Sequence, residues 1–179
     1  MIPSLLLIAT AVIWRLINHQ YMIAPNLEII TASSLVAATF LPRKYSLIVP
    51  LMSMAVSDAL IGNSAILIFT WSAFGLIGLS GLLLRRVKRK PAVLMKLSFL
   101  AGMAASVFFF LYTNFGVWLI GDGAFYPRTW QGLIDCYVMG LPFYRTMFFG
   151  NLILVPLYFG AALCLPGLVR HLQLKLKRS

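Results

Sequence analysis

Histidine, cysteine and acidic residues are scarce in this chain of 179 residues, which holds two His, two Cys and four Asp plus Glu. No HExxH, CxxC or histidine cluster occurs, so the usual zinc sites have no ligand set here. There is no glycine-rich phosphate loop closed by a lysine and no GxSxG turn, so the chain is not expected to hydrolyse ATP or to act as a serine hydrolase. Cys136 and Cys164 fall at opposite depths of the expected bundle, given about 1.5 Å of rise per helical residue, which argues against a disulfide. Cys136 and His19 are the one conceivable nucleophile and base, and two lone residues on separate loops are a weak signal. The expectation is a protein that is not an enzyme and needs no cofactor.

Charge is also sparse, at 11% of residues against 61% hydrophobic, and the mean hydropathy of +0.91 lies outside the soluble range and inside the membrane class. The fold class expected is all-α: a polytopic membrane protein forming one domain, residues 1 to 179, with a six-helix transmembrane bundle. Apolar runs bounded by charge, Pro or Gly place the spans near residues 3–18, 27–41, 45–61, 64–84, 94–112 and 146–169. "IPSLLLIATAVIWRL" lacks a basic leader and a small-residue cleavage site, so it reads as the first span. Pro50 and Pro156 predict kinks whose freed carbonyls need neighbouring helices or water.

The net charge of +11 does not indicate nucleic acid, because the basic residues are interleaved with the spans. With the N-terminus cytoplasmic, the inner side holds Arg43, Lys44, "RRVKRK", Lys96, Arg170, Lys175, Lys177 and Arg178, which is 12 of the 15 basic residues. The outer side holds Arg15, Arg128 and Arg145 with all four acids, Glu28, Asp58, Asp122 and Asp135. Positive-inside bias therefore favours N-in and C-in, in a cell inner (plasma) membrane. The inner clusters suit anionic lipid.

Polar residues that could carry chemistry gather at the outer ends. Arg15 near the end of helix 1 needs a partner, and Asp58, about one turn before the end of helix 3, is the candidate. The pair either joins two helices or takes part in a ligand site. In "NHQYMIAPNLE", Asn26 reads as an N-cap of helix 2, and Asn63 or Ser64 in "GNS" as a cap of helix 4.

Residues 113 to 145 differ in kind. Gly116, Gly121, Gly123 and Pro127 predict a break in the helix, after which Trp130, Leu133, Ile134, Tyr137 and Leu141 recur at helical spacing. The pattern predicts a short amphipathic helix across the outer mouth between helices 5 and 6, then a turn at "LPFYR". Trp118, Tyr126, Trp130, Tyr137 and Tyr144 form either an interfacial aromatic belt or a lid over a cavity.

Thr113-Asn114-Phe115, Val117-Trp118, Tyr126-Pro127, Thr129, Gly132-Leu133, Cys136-Tyr137, Pro142-Phe143, Arg145, Gly150 and Leu152 resemble a family of uncharacterised small bacterial membrane proteins. Arg15-Leu16, Pro25-Asn26, Pro50-Leu51, Ser57-Asp58 and Gly62 extend the resemblance into the first half. The chain departs from that family at Asn151, where an acid usually follows the glycine, and around Glu28. In topology and style the family is similar to the substrate-binding S components of energy-coupling-factor vitamin transporters. That resemblance implies an outer-face pocket for a vitamin-like solute and a partner module of transmembrane scaffold plus ATPases. Helix 1 has Ala9 and Ala11 but no clear small-residue docking face, which leaves a solitary role open.

The expected function is a membrane-embedded solute-binding subunit or small permease. Its outer site would be lined or closed by Arg15, Asn26, Asp58, Asn114, Trp118, Tyr126, Asp135, Tyr137 and Arg145. Arginines would hold anionic groups, Asn and carboxylates would orient polar groups, and aromatics would stack on a ring. Three Arg against four acids favour a neutral or zwitterionic ligand. The alternative is a membrane assembly or interaction protein, with an outer-face enzyme a distant third.

Overall fold

The computed structural model describes residues 2–62, 65–121 and 123–176, with side chains to Leu165. Asn63, Ser64, Asp122 and the side chains of Arg170, His171, Lys175, Lys177 and Arg178 lie outside the described residues, and with them the expected cap of helix 4. Among the described residues there are six α-helices and no strands: α1 Ile2–Tyr21, α2 Ile30–Phe40, α3 Tyr45–Ile61, α4 Leu67–Ser80, α5 Pro91–Ile120 and α6 Trp130–Leu176. A 3-10 helix, Gly81–Val87, continues α4. Four segments, Ile2–Tyr21, Leu67–Val87, Pro91–Ile120 and Trp130–Leu165, are long and apolar enough to cross a membrane, and α2 and α3 are shorter apolar helices.

The distribution of side chains is that of a membrane protein. Leu6, Ile68, Leu100, Ile153 and Leu157 are exposed, whereas Ser33, Ser34, Ser53, Ser98, Ser106 and Thr39 are buried. With apolar surface outside, close approach of backbones rather than exclusion of oil from water holds such helices, and small side chains permit it. The buried hydroxyls of Ser34, Thr39, Ser57 and Ser106 return hydrogen bonds to carbonyls one turn earlier in their own helices, so these four enter the core paired, whereas those of Thr31, Ser33 and Ser53 have no hydrogen-bond partner among the described residues.

The centre of the bundle is α2. All but one of its eleven residues are buried, and it packs on every other α-helix and on the 3-10 helix. At about 1.5 Å per residue it is about 16 Å long, roughly half a hydrocarbon core. A helix that short leaves its terminal N–H and C=O groups inside apolar surroundings, where each must find a partner. At the C-terminus the Arg85 guanidinium donates to the carbonyl oxygens of Ala38 (3.0 Å) and Leu41. At the N-terminus Glu28 Oε2 accepts the Thr31 N–H at 2.8 Å. A cation at one end and a carboxylate at the other also match the helix dipole.

Pro50 lies inside α3 and deprives the Ser46 carbonyl of its helical donor. Gly78 of α4 closes on that carbonyl: a Cβ there would stand 2.0 Å from Ser46 O and 3.1 Å from Pro50 Cγ. Gly81 approaches α2 in the same way, with a Cβ position 2.8 Å from Ala38 Cβ.

The longest departure from expectation concerns residues 113 to 145. Helix 5 does not stop near residue 112 but runs to Ile120, and there is no separate short helix and no turn at "LPFYR"; Trp130 begins a helix that continues through Pro142 and Pro156. Gly116 stays helical because Phe69 occupies the place of its side chain, 2.3 Å from a built Cβ. In apolar surroundings no water replaces a broken helical hydrogen bond, so Gly and Pro are weaker breakers than in water. The connecting loop is therefore confined to residues 121–129. Helix 2 is also shorter than expected: Asn26 does not cap it but adopts a left-handed conformation (φ 61°) in the preceding loop, and the capping acceptor is Glu28.

Candidate functional site

Residues 22–29 descend from the end of α1 into the bundle so that α2 can start near its middle. Asn18 shapes this descent: its side-chain amide donates to Ala24 O (2.8 Å) and Leu27 O (3.1 Å), and its oxygen accepts the Ala24 N–H (2.9 Å). Trp14 Nε1 donates to Leu27 O at 2.8 Å. Met22 joins Asn26 at positive φ, and Gly150 of α6 leaves room for Leu27, whose Cδ1 lies 2.3 Å from a built Cβ. Glu28 thereby reaches Asn151, whose Nδ2 donates to Glu28 Oε1 at 3.1 Å and to Ser106 Oγ at 3.1 Å. Ser106 is midway along α5 and Asn151 is buried in α6, so the carboxylate sits at mid-bundle depth. The two positions where the sequence departs from the family it resembles are in contact with one another.

Above this point lies a partly open cavity of about 610 Å³ lined from all six α-helices. That is within the range of small-molecule pockets, roughly 300–1,000 Å³. α1 and the segment after it contribute Arg15, Asn18, His19, Asn26 and Glu28, and α4, α5 and α6 contribute Phe74, Phe109, Phe110, Phe143 and Tyr144 together with Thr70, Thr113 and Asn114. Ring pairs stiffen the aromatic walls, with Phe74 and Phe109 at 4.7 Å and Phe110 and Tyr144 at 4.8 Å between centroids.

Arg15 forms an ion pair with Asp58. The guanidinium also donates to Ser57 Oγ at 2.5 Å, and Trp71 Nε1 donates to Asp58 Oδ2 at 2.7 Å. Asp58 is buried and Arg15 half-buried. The pair thus joins α1, α3 and α4 and neutralises itself, with the arginine side bordering the cavity.

Of the other expected site residues, Asn26, Asn114 and Tyr126 line the cavity. Asn114 Nδ2 donates to Phe110 O at 2.8 Å, its backbone oxygen accepts the Cys136 thiol at 3.3 Å, and its Oδ1 fills the notch at Gly140, 2.4 Å from a built Cβ. This clamps α5 to α6. Trp118, Asp135, Tyr137 and Arg145 stand away from the cavity lining. Trp118 Nε1 ties α5 to Pro127 O at 3.1 Å, and Tyr137 donates to Leu111 O at 2.9 Å. Asp135 is exposed and accepts from Gln131 one turn earlier at 2.8 Å; Arg145 is exposed on α6. Sequence reasoning missed Glu28, Asn18 and Asn151 as site residues. The available signal was an acid just before an apolar run and an amide in the middle of one, both costly at that depth without a use.

Among the described residues, no group of three His, Cys, Asp or Glu is placed to hold a metal ion. No curated protein and no solved structure matches the chain. A family model matches residues 1–172, nearly the whole chain, and the protein therefore belongs to the "Family of unknown function (DUF6580)".

Proposed function

We propose that this protein is a membrane-embedded solute-binding subunit or small permease, similar in style to the S components of energy-coupling-factor transporters. It spans the bilayer six times with both termini cytoplasmic and takes a small, vitamin-like solute at its outer face. The observation that carries this reading is the cavity of about 610 Å³ bordered by all six helices, lined by both polar side chains and aromatic rings, as orienting and stacking of a ring-bearing solute require.

The end of the bundle opposite the cavity carries Arg43, Lys44, Arg85, Arg86, Lys88, Arg89 and Lys90. That distribution supports an inward basic face, contact with anionic lipid and docking of an energy-coupling module there.

Native mass spectrometry of the gently solubilised chain tests the reading, because it reports solute and partner together. A co-purified small molecule whose retention is lost in Thr70→Trp, which adds bulk to the cavity wall, is the expected result. If no small molecule, native or supplied, is retained or raises the melting temperature, the solute-binding reading falls. A stoichiometric protein partner in the same spectra, without any solute, favours the assembly protein instead.

A further inference from the structure

We propose that the solute is an organic cation, a ring-bearing ammonium or similarly charged heterocycle, and that Glu28 holds its positive group. The inference rests on the solute-binding reading and deepens it. It departs from the neutral or zwitterionic ligand that the count of charges at the outer face suggests, because of those charged residues, among the described ones, only Arg15 and Glu28 border the cavity, and Arg15 is paired with Asp58.

The charges on the cavity wall do not cancel. Arg15 is spent on Asp58, itself further bonded by Trp71, so that corner is neutral. Glu28 has only neutral hydrogen-bond partners, at Thr31, Ile30 and Asn151. Among the described residues no basic side chain pairs with it. The start of α2 offsets roughly half a unit of carboxylate charge through the helix dipole, which is not a full counter-charge. An anionic solute would meet an unscreened like charge at the cavity floor. A neutral one would forgo the charge-assisted hydrogen bond that a cation makes with a carboxylate.

The remaining walls sharpen the class. Phe74, Phe109, Phe110, Phe143 and Tyr144 line the same cavity as the acid, and aromatic faces attract organic cations through their ring quadrupoles. A hard inorganic cation such as Ca²⁺ takes six or more oxygen ligands, which one carboxylate among aromatic rings does not supply. The volume and the walls instead suit a bulky cation that is weakly hydrated.

Equilibrium binding of radiolabelled phenyltrimethylammonium to the full chain in nanodiscs tests this. Saturable binding is expected, displaced by unlabelled tetraethylammonium and at least tenfold less sensitive to benzyl alcohol or benzenesulfonate. Glu28→Gln, which keeps the acceptor for Thr31, is expected to weaken binding at least tenfold, and Glu28→Asp to recover part of the loss. Benzenesulfonate or benzyl alcohol competing as well as the cations, or binding unchanged in a folded Glu28→Gln, overturns the assignment. The probe comparison on the unmodified chain decides the matter even if the variants do not fold. A neutral or anionic aromatic that binds and is excluded by Thr70→Trp overturns the cation while leaving solute binding intact. No saturable binding by any probe overturns the cation and leaves the solute-binding reading to native mass spectrometry.

Discussion

The two ends of α2 meet the same physical problem and resolve it differently. Its C-terminus is sealed: Arg85 takes the last carbonyls, Gly81 brings the 3-10 helix against Ala38, and Gly78 closes on the carbonyl that Pro50 exposes. Its N-terminus is left under a cavity, and the carboxylate that satisfies it borders open space. One half of the bundle is thus filled to contact and the other is held open by a polar scaffold. Stability and function divide between them along the length of a single short helix.

That division predicts different costs for comparable substitutions. Arg15→Ala is expected to be the most damaging, about 3–5 kcal/mol, because it leaves the Asp58 charge buried without its partner. Thermal unfolding in detergent measures this, and Arg15→Ala with Asp58→Ala together should cost less than the sum of the two singles. In the sealed half, Gly78→Ala should cost about 3 kcal/mol, since the added methyl meets backbone that cannot swing aside. Stability close to wild type would show that the two helices are not in contact there. Arg85→Ala comes next, at about 2–3 kcal/mol for two carbonyls left unpaired in the interior, read as a lower midpoint of unfolding.

The cavity half should respond more mildly in stability and more strongly in binding. Asn18→Ala removes three hydrogen bonds from the descending segment and should cost about 1–2 kcal/mol, with faster amide exchange confined to residues 22–29. Thr70→Leu enlarges a residue that faces the cavity and should change stability by less than about 1 kcal/mol while reducing solute affinity. If Thr70→Leu were as destabilising as Gly78→Ala, the contrast between filled and open halves would be lost.

How much of this was legible depended on what each residue answers to. Arg15 and Asp58 could be paired from sequence because an isolated charge in an apolar run has few ways to be satisfied. The ends of helices 5 and 6 could not be read in the same way. Gly116 and Pro142 follow breaker rules learned in water, and their helices persist because neighbours and the apolar surroundings favour continuity. Trp118 and Tyr137 were rightly seen as amphipathic, but which of their surfaces meets a carbonyl rather than a ligand was decided by Pro127 and Leu111, brought close only by folding. Asn26 was assigned the cap that Glu28 provides, two residues away, because asparagine suits both a helix cap and the left-handed turn position it adopts here, and its sequence context does not say which.

The sequence alone determined that the chain is helical and built of apolar spans, that its positive charge gathers between particular spans, and that the acids keep apart from those clusters. Composition, period and charge order are local properties and need no contacts to be read. Only the tertiary structure decided that the shortest apolar helix is the centre of the bundle, and that Glu28, Ser106 and Asn151 meet at its start. Glu28 and Asn151 are 123 positions apart in the chain, and nothing in the pattern of either segment marks the other. Packing of six helices around one short one brings them together, and the same packing leaves the space above them open.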